Sequence, residues 1–249
     1  MTLGNPMAEG NTANIFLLDN KIIKVFKDHL PKTEAMYEAN KQKLAFSRGL
    51  SVPKVLDVTE MDGKQAIIME YIQGETLGKL LLNNMEKSLY YMEVSVDIQM
   101  DIHKTVIDSL EPMSQKLKRQ INSAPNLSEK LKSKILDKLD LMTYENRLCH
   151  GDFHLFNLIL SDEKVVIIDW VDASAGDIRS DVYRTYLLYS QLSMELAELY
   201  VHLYCKKSGI SREEIFQWAP IIAAARLSEN VSTESADRLL KIIDQYLPL

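Results

Sequence analysis

Residues 149–170 read Cys-His-Gly-Asp-Phe-His-Leu-Phe-Asn, then Leu-Ile-Leu, Ser-Asp-Glu-Lys, Val-Val-Ile-Ile and Asp-Trp. Two short apolar runs, 158–160 and 165–168, enclose a polar turn, which is the pattern of a β-hairpin. A hairpin brings its open ends together, so Asn157 and Asp169 are expected side by side at the mouth of an apolar layer. Asp152 lies five positions before Asn157, on the loop leading in. Oxygen-bearing side chains gathered in such a place need a cation or hydrogen bonds to satisfy them. Mg²⁺ suits them, being a hard cation commonly held by one or two carboxylates plus substrate phosphates. The order Asp-x-x-x-x-Asn, followed by an Asp after a hairpin, is that of a phosphoryl-transfer centre. There the first Asp receives the substrate hydroxyl proton, and the Asn and second Asp hold metal. Two other readings stay open. Asp152 and Asp169 could be ordinary loop carboxylates with Asn157 a turn residue. Alternatively, His150, Asp152 and His154 could ligate a catalytic transition metal, although no further His or Cys cluster completes such a site.

A second set of residues could serve a nucleotide. In Lys21–Phe26 the side chains alternate, so Lys24 shares a face with Ile22 and Phe26. A charge in that partly buried setting demands a counter-ion. The following helical segment offers Glu34 and Glu38, four apart and on one face, and Glu38, nearer the middle, is the favoured partner. An edge-strand lysine and a surface glutamate are the alternative. Ahead of the first strand, Gly10, Asn11 and Thr12 could fold over phosphates through small polar groups and backbone N–H donors, although one glycine alone is a weak signal. Glu70, Tyr71 and Ile72 end an apolar strand where an adenine ring could hydrogen-bond to backbone; a plain buried strand explains them equally well.

These side chains need a scaffold. Residues 14–18 and Lys21–Phe26 are β-rich runs separated by Asp19-Asn20, a two-residue hairpin signal. Residues 32–47 contain no Gly or Pro and favour a helix, with Gly49 placed to end it. An extended segment over 52–58, a turn at Asp62-Gly63 and a strand over 66–72 complete a small sheet lobe, residues 1–74. From residue 75 to 249 the pattern is helical, with predicted helices near 94–109, 127–142 (capped by Ser128 or Asn126) and 180–204. The last 35 residues are also predicted helical, and the 149–170 hairpin is embedded between helices. The fold class expected is α+β.

Composition narrows the function. The net charge of −6 argues against a general nucleic-acid binder. No apolar run approaches the ~18 residues of a membrane span. The N-terminus shows neither the basic nor the apolar region of a signal peptide. The two cysteines, Cys149 and Cys205, form no disulfide framework or CxxC metal pattern. A cytoplasmic enzyme is the expectation.

With these residues in place, the chain resembles the aminoglycoside phosphotransferase and choline kinase-like family, relatives of the protein kinases. The stretches that carry the resemblance are AEGNTANIF, KIIKVFK, the Glu38 helix leading to SVPKVL, IIMEYIQGETL, CHGDFHLFNLIL, VVIIDW and AGDIRSDVYRTYLL. The resemblance implies a bilobal protein-kinase-like fold that uses ATP or GTP with Mg²⁺. It makes Asp152 the catalytic base, Asn157 and Asp169 the metal ligands, and Lys24 with Glu38 the phosphate-orienting pair. His150 would buttress the loop, Asp177 would cap the next helix and Asp181 would brace the catalytic loop. The chain departs from the family at Leu155-Phe156, where many members carry Pro-Gly. Trp170-Val171 after the metal Asp gives no reason to expect an Asp-Phe-Gly type of switch.

Gly176-Asp177 follows Asp169 too closely for the peptide platform of a protein kinase, and no Ala-Pro-Glu follows. A small-molecule hydroxyl, on an aminoglycoside-, choline- or amino-sugar-like compound, is the better acceptor. Arg226, Glu229, Glu234 and Asp237 would stand near it; the acidic ones could bind an amine or could form a solvated helix face. A nucleotide-binding pseudokinase and a protein-serine kinase are the alternative functions.

Overall fold

Residues 3–10, 12–162 and 164–248 are described by the computed structural model of this chain, which divides into two compact units. The first comprises Met1–Asn83 and Leu155–Asp172, the second Asn84–His154 and Ala173–Leu249.

In the first unit, β1 (Ala8–Glu9), β2 (Ala13–Leu18), β3 (Lys21–Phe26), β4 (Val55–Met61) and β5 (Lys64–Glu70) form one antiparallel sheet. Its order is β1-β2-β3-β5-β4, and α1 (Glu34–Ser47) joins β3 to β4. Asp19 and Asn20 take φ of 48° and 57°, the twist a two-residue hairpin requires, and set Leu18 opposite Lys21. The two-residue period then sorts the side chains. Ile23 and Val25 pack with Phe16 and Ala66, while Phe26 joins Ala35 and Ala39 of α1 in the other layer. Lys24 shares its face with Phe26 and so stands under α1.

The same unit holds β6 (Glu75–Thr76), α2 (Leu77–Asn83) and the hairpin of β8 (Leu158–Ser161) and β9 (Lys164–Ile167), in the strand order β6-β8-β9. Leu155–Asn157 forms a 3-10 turn into β8. Pairing of Glu75 with Leu160 ties the hairpin to the sheet-bearing unit, so the division falls after Asn83 and not after residue 74. Composition changes along the chain, whereas this pairing joins segments distant in sequence.

The second unit is helical: α3 (Ser88–His103), α4 (Met113–Ser123), α5 (Glu129–Leu141), α6 (Ile178–Leu192), α7 (Met194–Ser208), α8 (Arg212–Phe216), α9 (Ala219–Leu227) and α10 (Ala236–Tyr246). A ribbon in this unit pairs β7 (Arg147–Cys149) with β10 (Ser174–Gly176), Cys149 opposite Ser174. Every residue of α9 is buried, and α4, α5, α6 and α10 pack around it. Three expected helices need adjustment. The one placed over 94–109 spans Ser88–His103, because the chain turns extended and Val106 bridges Arg147. The one over 127–142 becomes α5, with Ser128 accepting the Leu131 N–H at 3.3 Å as its cap. The one over 180–204 is two helices, broken where Ser193 (φ −154°) caps α7 through the Leu196 N–H.

Gly74 approaches β8 so closely that a Cβ there would lie 2.1 Å from the Leu160 carbonyl oxygen. Backbone, not a flexible side chain, would have to yield. Gly74→Ala is therefore expected to cost about 1–3 kcal/mol, the range for overpacking. The thermal unfolding midpoint should fall by roughly 5 °C, read by calorimetry against wild type.

Candidate active site

Lys24 is 7% exposed, and its ammonium donates to Glu38 Oε1 at 2.6 Å and to Asp169 Oδ1 at 3.0 Å. Burial alone would lower its pKa, but the charges of Asp169 and Glu38 outweigh burial and hold it well above the ordinary lysine value. Glu38 is fully buried. Desolvation pushes its carboxyl upward and Lys24 opposes the rise. Of the two helix glutamates it is Glu38, in the second turn of α1, that meets Lys24. Its other oxygen, Oε2, is buried with no hydrogen-bond partner.

The hairpin brings the next pair together. Leu158 is opposite Ile167, and the Ile168 N–H donates to the Asn157 carbonyl at 3.0 Å, so the ribbon's open end holds Asn157 next to the residue before Asp169. Asp169 has φ 64°, a left-handed conformation that Asp adopts more readily than most residues. The kink turns its carboxylate to Lys24. Just beyond, Lys41 of α1, buried, donates to the Val171 carbonyl at 2.5 Å and fixes the segment after Asp169. Phe156 packs on Gly78, where a Cβ would come within 2.7 Å of its ring. An amide oxygen and a carboxylate at one ribbon end, with the unpartnered Glu38 oxygen in the same unit, are hard donors that fit Mg²⁺.

A cavity of about 360 Å³ in the first unit is walled by Lys24, Glu38 and Asp169 and by Glu70, Tyr71 and Ile72. The chain leaves the sheet after Glu70, so Tyr71 and Ile72 stand beyond the strand expected over 66–72. Gly10 and Thr12 do not belong to this wall. The Gly10 N–H donates to the Ala13 carbonyl and the Thr12 carbonyl accepts from the Lys27 N–H, which closes a turn beside the sheet. Met7 and Ala8 line the cavity in their place. Asn11 lies outside the described residues.

Asp152 belongs to the second unit. Asp177 caps α6 by accepting the Arg179 N–H at 2.8 Å, which sets the helix so that Asp181, one turn on, reaches the loop after β7. Asp181 Oδ1 accepts the Gly151 N–H at 2.7 Å and Oδ2 the His150 N–H at 3.2 Å. Gln99 and His103 of α3 hold the same carboxylate, at 3.2 and 2.9 Å. His150, fully buried, accepts the Asp152 N–H through Nδ1 at 3.3 Å. Burial acts to raise the Asp152 carboxyl, but a hydrogen bond from His154 and the charges of His154, Arg184 and His150 hold it well below the usual carboxylate range. Asp181 is lowered in the same way, with His103 and the Gly151 N–H overcoming burial.

The transition-metal reading of His150, Asp152 and His154 is not supported by this arrangement. Among the described residues, the His, Cys and acidic donor atoms close enough to share one ion are those of His103, Cys149 and Asp181, whose carboxylate is already committed to four hydrogen bonds. Gln99, His103 and Lys41 were not foreseen. Ser95, Gln99 and His103 do recur every four residues on an otherwise apolar face of α3, all buried, and that polar stripe is a readable signal. Lys41 carried no comparable mark.

A model of the phosphotransferase enzyme family matches residues 5–216. Acyl-CoA dehydrogenase family member 11 of Homo sapiens is 25% identical over 186 residues, covering 64% of this chain, and the chain spans about a quarter (24%) of that protein's length. The LicA homolog of Mycoplasma capricolum is 24% identical over 154 residues, covering 61% of each chain. Among solved structures, aminoglycoside phosphotransferase APH(4)-Ia in ternary complex with ADP and hygromycin B aligns with a TM-score of 0.70 at 15% identity. That alignment covers 97% of this chain and 92% of the other. A choline/ethanolamine kinase family protein from Mesorhizobium loti aligns at 0.66 with 13% identity, covering 99% and 90%. The fold is therefore protein-kinase-like and α+β.

Two outcomes follow from the buried charges. Lys24→Met strands the Glu38 carboxylate in the interior and should cost about 3 kcal/mol in denaturant unfolding, and Lys24→Met combined with Glu38→Gln should recover part of that loss. The depressed carboxyls of Asp152 and Asp181 bind fewer protons folded than unfolded. Their stabilisation is complete above the ordinary carboxylate value of 3.8 and is lost as pH falls through the lowered folded values. Asp181→Asn should flatten the decline of stability between about pH 5 and 2, measured by urea titration at each pH.

Proposed function

The chain belongs to the phosphotransferase enzyme family, and from that premise we propose that it moves the γ-phosphoryl group of ATP or GTP to a hydroxyl of a small molecule. The observation that carries this reading is the buried Lys24, held between Glu38 of α1 and Asp169 at the end of the hairpin. A solvated lysine needs no such pair of carboxylates; one that must present a fixed positive charge to phosphates does.

In this reading the nucleotide occupies the cavity of the first unit, with its base against Glu70, Tyr71 and Ile72 and its phosphates toward Lys24. Asn157 and Asp169 hold the divalent ion, which when bound neutralises phosphate charge. Lys24 orients the phosphates, and Glu38 keeps its ammonium in place. Asp152, kept ionised by its neighbours, orients the acceptor hydroxyl and accepts its proton. Asp181 holds the loop that carries Asp152. Positioning and preorganised charge supply most of the acceleration expected of such a centre.

The segment after Asp169 favours a small acceptor over a peptide. Lys41 fixes Val171, β10 follows at Ser174–Gly176 and α6 begins at Ile178, which leaves no stretch to form a peptide platform. The structural relative bound to ADP and hygromycin B supports the same pairing of nucleotide with small molecule. No helix among the described residues is long and apolar enough to cross a membrane.

Asp152→Asn is expected to lower turnover by about 10²–10⁴-fold, the contribution of a positioned acid–base group, while leaving the Kd for MgATP within twofold. Coupled ADP release and nucleotide titration read the two quantities. Undiminished turnover would remove Asp152 from the mechanism.

A further inference from the structure

We infer, resting on the reading of Asn157 and Asp169 as the metal ligands, that Lys41 is a positioning residue of the metal site. Its hold on the Val171 carbonyl sets the backbone at Asp169, and through it the affinity for a divalent cation. Lys41 lies in the middle of α1, three residues after Glu38 and so on the same side of the helix. It is 3% exposed, and its ammonium donates to the Val171 carbonyl at 2.5 Å. The same ammonium stands 4.1 Å from the centre of the Tyr37 ring, one turn back, where the ring face attracts a cation.

Asp169 is where the chain needs holding. Its φ of 64° is sparsely populated for a residue with a side chain, and such a backbone persists only where its surroundings over-determine it. Three successive residues are tied. Asp169 Oδ1 accepts from Lys24 at 3.0 Å, the Trp170 indole N–H donates back to the Ile167 carbonyl at 3.3 Å, and the Val171 carbonyl accepts from Lys41. Trp170 is fully buried, which pins the middle of the three. The outer two ties both lead to α1, one through Lys24 and Glu38 and the other directly. One helix thereby grips the kink before and after its left-handed residue, and all of these groups belong to the first unit.

The two ties do different things. Lys24 engages a carboxylate oxygen, and a side chain can keep such a contact while the backbone beneath it relaxes. Lys41 acts on the backbone itself, two residues on, and so opposes relaxation of the Asp169 φ toward the common right-handed region. A carboxylate fixed in this way is preorganised as a ligand. Groups that orient a metal ligand without touching the ion commonly govern the affinity for it by about ten- to a hundredfold. Lys41 does not line the first-unit cavity. Its loss should therefore reach the metal through Asp169 and leave metal-free nucleotide binding as it is.

The test is Mn²⁺ binding to the full chain in the presence of AMP-PNP, read by electron paramagnetic resonance, with Mn²⁺ as the paramagnetic probe of an oxygen-ligand site. The chain is kept in excess over nucleotide. Lys41→Met should weaken Mn²⁺ binding about 10–100-fold and raise the Mg²⁺ concentration for half-maximal ADP release by a similar factor. The Kd for ATP measured in EDTA should stay within twofold of wild type. Lys41→Arg, which keeps a long cationic donor, should recover part of the metal affinity. Ile135→Val, a truncation in the buried face of α5, is the control for lowered stability as such and should leave Mn²⁺ affinity unchanged. If Lys41→Met does not unfold cooperatively, Lys41→Gln is measured in its place. Mn²⁺ affinity within twofold of wild type in the Lys41 variant overturns the inference, and so does an equal loss of metal binding and metal-free nucleotide binding. Asp169→Asn separates the two levels of the reading. If it removes Mn²⁺ binding while the Lys41 variant does not alter it, the positioning role fails and the ligand assignment stands. If Asp169→Asn leaves Mn²⁺ binding intact, the ligand assignment itself fails.

Discussion

An ammonium group in the middle of a strand, between the apolar side chains of Ile22 and Phe26, is not stable there as an isolated charge, because transfer from water to a protein interior costs several kcal/mol even after relaxation. Lys24 remains charged because two carboxylates meet it, and they come from different parts of the first unit. Glu38 is supplied by α1 and Asp169 by the residue that follows the β8–β9 hairpin. One buried cation therefore sets the register of α1 over the sheet and the direction in which the hairpin must end. The left-handed conformation of Asp169 belongs to the same constraint, since it turns the carboxylate to the lysine. Lys41 adds a second tie from α1, to the backbone at Val171, so the segment carrying Asp169 is held on both sides.

The second unit solves a related problem with the opposite sign. Asp181 is a fully buried anion, and the groups that stabilise it are the N–H donors of His150 and Gly151 together with Gln99 and His103. Backbone donors serve here as both counter-charge and structural clamp. The loop before Asp152 cannot move without leaving a buried carboxylate unsatisfied, which is expensive in a low-dielectric interior. Asp152 in turn keeps its negative charge because His154, Arg184 and His150 outweigh its burial. The group proposed to accept a proton from an alcohol is poised by neighbours that are themselves fixed by α6 and α3.

Much of this was legible in the residues. The hairpin signals at Asp19-Asn20 and around 161–164, the alternation that put Lys24 on the face of Phe26, the choice of Glu38, and the cap at Asp177 all rest on short-range rules. Such rules act over a few residues and need no knowledge of neighbours distant in sequence. Where the reading went astray, a distant partner or a local break had intervened. Residues 180–204 looked like one helix by periodicity, yet Ser193 found a better role capping α7. The division expected after residue 74 missed the pairing of β6 with β8.

The amino-acid sequence by itself determined which side chains are candidates for chemistry and which elements bear them, because residue type, two-residue and 3.6-residue periods and turn preferences are properties of adjacent positions. Only the tertiary structure decided how those charges are shared. It gave Lys24 two acceptors instead of one, placed Gln99 and His103 on Asp181, and paired Glu229 and Glu234 with arginines. Electrostatic pairing depends on distance in space and on the exclusion of water, and neither is written in the spacing of residues along a chain.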